Sequence, residues 1–133
     1  MIDIDAKVMT VVRNAVSESH NKCFVSGEYL RSDSKLPAVT VIEQSNIVPT
    51  RAIDSSAIET YATVMYQVDV YSADSTSKKT EARKILNTVD TAMAGMGFRR
   101  IYCQPTPNMN NATIFRITAR YLGSVLRDGS VAR

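Results

Sequence analysis

Residues 66–86 read YQVDVYSADSTSKKTEARKIL, and the hydrophobic period changes within them. Tyr66, Val68 and Val70 alternate with Gln67 and Asp69, the period-two pattern of a strand with one packed face. Ala82, Ile85 and Leu86 then recur at spacings of three and four, which places them on one stripe of a helix. Between the two lies a run of small and polar residues from Ser72 to Lys79. A strand feeds a helix through a polar hinge.

Both patterns extend outward. Upstream, Ala62 and Val64 continue the packed face of the strand, with Thr63 on the other face. Downstream, Val89, Met93 and Met96 prolong the helical stripe, while Lys78, Lys79, Arg83, Lys84 and Asp90 lie off it. Gly95 and Gly97 supply the left-handed conformation that commonly ends a helix. A strand FRRIYC follows at 98–103, then a turn QPTPNMNN, then TIFRITARYL at 113–122, where Phe115, Ile117, Ala119 and Tyr121 alternate with Arg116, Thr118 and Arg120. The tail 123–133 is expected to fray.

Toward the N-terminus, Ile4, Val8, Val11, Val12 and Ala15 form the buried stripe of a helix over about 3–16, capped by Asp3 or Asp5. Residues 17–36 read as loop, with a short strand at 23–25 as the exception. PAVTVIE at 37–43 is β-branched on both faces and reads as an interior strand. Residues 44–58 contain Pro49 and hold no period, so they read as a long exposed loop. The expected fold is α+β: one domain, a mainly antiparallel sheet packed by two helices, in the order α-β-β-α-β-β. Val64, Tyr66, Val68, Ile85, Leu86, Val89, Phe115 and Ile117 are its expected core.

A chain of 133 residues with 44% apolar and 22% charged residues has the balance of a globular protein with a core of its own. No apolar run approaches the roughly 20 residues that span a bilayer, and MIDIDAKVM carries acids where a secretory signal carries bases, so the expected place of synthesis and residence is the cytoplasm. Cys23 and Cys103 read as buried thiols of the core. A net charge of +3 permits contact with nucleic acid without demanding it.

Residues with catalytic promise are sparse. The glycines at 27, 95, 97, 123 and 129 form no phosphate-binding loop. His20 is the single histidine; with Cys23 it makes one H-x-x-C, short of the four ligands of a structural zinc, and it reads as a solvated residue ending a helix. The serines lack a nucleophile elbow and read as caps and turns. No catalytic, cofactor or metal residue is assigned. Arg116 and Arg120, four apart on one strand, project from one polar face, and Arg99 or Arg100 is placed to join them from the next strand. Such a face could meet phosphates, but with so small a net charge it reads first as a solvated surface with cross-strand acids such as Asp69. A sheet that stacks RNA bases would show exposed aromatics, and this face offers Tyr61 and Tyr71.

The segments ETYATVMYQVDVYS, KKTEARKILNTVDTAMAGMGFRR and PTPNMNNATIFRITARY, in that order, resemble the tail terminator, or tail-completion, proteins of long-tailed bacteriophages, above all those of Gram-positive phages and prophages. The likeness covers roughly residues 37–122; the N-terminal helix matches only in kind. It implies a structural virion protein: a hexameric ring at the head-proximal end of the tail tube that ends tube polymerisation and docks to the head connector. The implied partners are further copies of the chain, the major tail tube protein, a head-completion or connector protein, and DNA passing through the lumen. It also implies that the loop at 44–58 and the hinge reach neighbours, which makes Ile47, Arg51, Asp54, Glu59, Lys78 and Lys79 candidate contacts, and that the sheet face with Arg99, Arg100, Arg116 and Arg120 is a candidate channel lining. Two other readings stand beside it: another connector component or tube subunit, and a nucleic-acid-binding module.

Overall fold

The computed structural model describes residues 1–30, 35–53, 60–73, 76–107 and 113–132. Among these, two helices lie on one face of a curled mixed sheet, an α+β architecture. The elements are α1 (Asp5–Ser19), β1 (Phe24–Ser26), β2 (Ala38–Ile47), a 3-10 turn (Thr50–Ala52), β3 (Tyr61–Ser72), α2 (Lys78–Met96), β4 (Arg99–Pro105), β5 (Phe115–Leu126) and β6 (Val131–Ala132). The sheet order is β1-β2-β3-β5-β4, with β6 pairing β5. β1 runs parallel to β2 and every other pairing is antiparallel.

β3 is the centre because its alternation is strictest. Ala62, Val64, Tyr66, Val68 and Val70 are all buried, and β5 places Ile117, Ala119, Tyr121 and Val125 beside them. Onto this face α1 lays Val8, Met9, Val12 and Val16, and α2 lays Ala82, Ile85, Leu86, Val89 and Met93. Each of these larger side chains contributes about 1.5–3 kcal/mol by leaving water. Of the expected core only Phe115, at the start of β5, remains half-buried.

Helix α2 ends where Gly97 takes φ +106°, and the Gly97 and Phe98 N–H groups return to the carbonyls of Ala94 and Met93. The turn drops Phe98 into the core, edge-on to Tyr66 with ring centroids 5.8 Å apart.

Several local expectations change. Gln44–Ile47 continues β2 through a bulge between Glu43 and Ser45, with Ser45–Ile47 paired to β3, and Ala52 is fully buried in the 3-10 turn that follows, so this part of the expected loop is ordered. Residues 54–59 lie outside the described residues. Lys78 and Lys79 belong to the first turn of α2, because the helix begins before its apolar stripe does. β5 runs on through Leu126, and β6 folds back on it at Ser124 and Val125, where the sequence suggests a frayed tail. Gly123 makes that closure fit: a Cβ there would stand 2.8 Å from the Phe98 ring and 2.9 Å from Val131.

Candidate functional site

The sheet face opposite the helices carries the residues with chemical interest. Pairing sets Asp69 of β3 beside Thr118 of β5, with Gln67 beside Arg120 and Tyr71 beside Arg116. Because side chains alternate, Arg116, Thr118 and Arg120 share this open face with Gln67, Asp69 and Tyr71. On β4, Tyr102 stands opposite Arg120 and Gln104 opposite Thr118.

Asp69 is the hub, and it is buried. Its Oδ1 accepts hydrogen bonds from Arg116 Nε at 3.0 Å and from the Thr118 hydroxyl, and its Oδ2 accepts one from Gln67 Nε2 at 3.0 Å. Thr118 Oγ1 lies 2.7 Å from Thr106 Oγ1. Since the Thr118 proton goes to Asp69, Thr106 donates to Thr118, and a hydroxyl relay runs into the carboxylate. Burial works against the Arg116 charge, but the Asp69 hydrogen bond and charge outweigh it and hold the guanidinium above its ordinary value. Thr40, opposite Asp69 on β2, is also buried, and its hydroxyl has no partner among the described residues.

Both arginines lie over aromatic rings. Arg116 stands 5.4 Å from the centroid of Tyr71, and Arg120 stands 4.8 Å from that of Tyr102. Arg120 Nε also donates to Gln67 Oε1 at 3.1 Å. Arg120 is exposed, whereas the Arg116 side chain retains only 25% exposure. The expected solvated face with a cross-strand acid is therefore corrected in its main member. The buried Asp69 holds a part-buried Arg116 in a structural pair, while Arg120 is exposed.

The adjacent arginines of β4 part company. Arg100 pairs with Tyr121 on the helix side and bonds Asp90 of α2 at 2.9 Å, while Arg99 is exposed beside Leu122 of the open face. The charge of Asp90, then its hydrogen bond, raises Arg100 above its ordinary value. Asp90 also accepts from the Tyr121 hydroxyl at 2.8 Å. The candidate channel face thus keeps Arg99, Arg116 and Arg120 and loses Arg100.

Of the candidate contacts, Ile47 is 60% exposed at the end of β2, and Lys79 is exposed. Arg51 Nε donates to the Tyr61 hydroxyl at 2.8 Å, and Lys78 Nζ donates to the Thr113 carbonyl at 3.1 Å, so both brace their own chain. Asp54 and Glu59 lie outside the described residues. His20 is not freely solvated: its Nε2 lies 2.9 Å from Thr88 Oγ1 and ties the end of α1 to α2. Cys23 packs against the core, and burial, helped by the Glu81 charge, pushes its thiol up to about 12. Cys103 is exposed instead of buried, because β4 is an edge strand. Among the described residues no cluster of three or more His, Cys, Asp or Glu residues is placed to hold a metal ion, and no helix is long and apolar enough to cross a membrane.

The hydroxyl relay and the aromatic partners of the arginines are not legible in the sequence, apart from the alternation that puts Thr118 on the same face as Asp69. Neither a protein-family model nor a curated protein matches the chain.

Proposed function

We propose that this chain is a structural ring component of a phage tail, seated at the head-proximal end of the tube, where it ends polymerisation and meets the head connector. The observation that carries the reading is a one-sided sheet: helices cover one face, and the other presents Arg99, Arg120 and the braced Arg116. A lumen lined by such a face attracts phosphates without reading bases. The segments that resemble tail terminators fall on β3, α2 and β5, the central strand and the elements packed against it. The role needs no catalytic group. Six copies, each giving one surface and receiving with another, close the ring.

Deleting the gene in the producing phage tests this. Tails of irregular length that fail to join heads are the expected result; normal tails that attach to heads refute it. The nucleic-acid-binding reading rests on the same arginines. With Arg116 committed to Asp69, weak and unspecific DNA affinity at physiological salt is expected. Tight, sequence-selective binding by the isolated chain would favour that reading instead.

A further inference from the structure

The sheet has two open edges on opposite sides. β1 covers only Ala38–Thr40, so Val41–Ile47 of β2 has no strand on its outer side among the described residues. At the far side β4, Arg99–Pro105, has no strand on its outer side among the described residues. β2 and β5 both run antiparallel to β3, and β4 runs antiparallel to β5, so the two open edges have opposite direction. Laying β4 of one copy beside β2 of the next, with the helices kept on one side, makes an antiparallel pair that continues the sheet.

The side chains flanking the two edges have opposite charge, and they lie on the same side. Beside β2, on the helix side, Asn46 Nδ2 donates to the Ile2 carbonyl at 2.8 Å and lies 3.5 Å from Glu43 Oε1, which brings the N-terminal segment against Glu43. Burial holds Glu43 above the usual carboxylate range; the Asn46 hydrogen bond opposes this, and the charges of Asp5 and Asp3 add to it. Met1 is 92% exposed at the tip. Beside β4, also on the helix side, an open cleft of about 560 Å³ runs between α2 and the strand, lined by Arg83, Lys84, Asp90, Arg100 and Cys103 among others. Three cations face one acid there, and that acid is bonded to Arg100.

We infer that copies of this chain join edge to edge, β4 against the next copy's β2, with the acidic N-terminal segment of the next copy seated in the basic cleft between α2 and β4. This deepens the ring reading and rests on it for the closure of the ring. Bulges between Glu43 and Ser45 and between Arg100 and Tyr102, together with Pro105, blunt both edges. Such devices suppress indiscriminate strand pairing, so recognition falls to the charges and to a short stretch of ladder. The Thr106 N–H bonds the Arg116 carbonyl, and by alternation the Cys103 main chain faces the open side, while Pro105 has no N–H to offer and ends the ladder.

Cys103 supplies the probe. In the purified full-length chain carrying Gln44→Cys, mild oxidation is expected to give a ladder of disulfide-linked oligomers that disappears when Cys103→Ser is added. Lys84→Glu, at an exposed cleft position, is expected to reduce the cross-linked and ring fractions at least tenfold, and Asp3→Lys in the same chain is expected to restore them. Oligomers that form without this cross-link, or that ignore Lys84→Glu, overturn the edge contact and leave the ring reading standing. A chain that stays monomeric and uncross-linked also overturns it, while the deletion phenotype judges the tail role separately.

Discussion

Arg116 and Asp69, 47 residues apart in sequence, meet across β5 and β3 with Nε 3.0 Å from Oδ1, and the carboxylate side chain they bury is only 2% exposed. The pair turns what looks like a binding residue into part of the frame. Arg116→Ala leaves Asp69 buried with Thr118 and Gln67 alone as donors, and about 2–3 kcal/mol of stability is expected to be lost with a charge-assisted bond to a buried acid. Arg120→Ala, at an exposed site, is expected to stay within about 1 kcal/mol of the parent. Chemical denaturation of the two variants measures the difference, and equal losses would refute the distinction.

Burial, with Asp5 and then Glu43 and Asp3 adding their charges, pushes the Tyr66 hydroxyl above its ordinary value; burial and Asp90 do the same for Tyr121. A raised value means that the folded chain holds the phenolic proton more tightly than the unfolded one. The stabilisation is present in full below the ordinary tyrosine value of about 10 and declines as pH rises beyond it. Ultraviolet titration should show these two tyrosines ionising only with unfolding. Tyr66→Phe should lessen the alkaline loss and cost about 1 kcal/mol at neutral pH by removing the bond to Asp5.

The two thiols should separate kinetically. With the Cys23 thiol pushed up to about 12, roughly one in ten thousand is thiolate at pH 8, whereas Cys103 is exposed on β4. A thiol reagent is expected to modify one equivalent quickly in the native chain and the second only on denaturation. Two fast equivalents would show that Cys23 is not held in the core.

Gly123→Ala tests the C-terminal closure. A Cβ at that position has to displace the buried Phe98 ring or the partly buried Val131. A loss of about 1–3 kcal/mol by overpacking is expected, with β6 released from β5. Melting temperature reports the first effect and amide exchange at Leu126, whose N–H bonds the Ser130 carbonyl where the tail turns back, the second. An unchanged melt would mean that the tail does not pack as described.

Much of the fold is written in local periodicity. The alternation from Ala62 to Val70, the helical stripes from Val8 to Val16 and from Ala82 to Met93, and the glycine stop at Gly97 each depend on neighbours within a few residues, so the sequence by itself determined the two helices, the central strands and the α+β class. It also put Arg116, Thr118 and Arg120 on one face. Register, burial of the second face and edge identity depend on partners tens of residues away. That is why tertiary structure alone decided that Asp69 is buried, that Arg100 and not Arg99 faces the helices, that Cys103 is exposed, and that the tail returns to close over Gly123. A strand's own pattern says which residues share a face. What covers that face is settled by the strands, loops and helices that meet it, and their approach is set by packing across the whole chain.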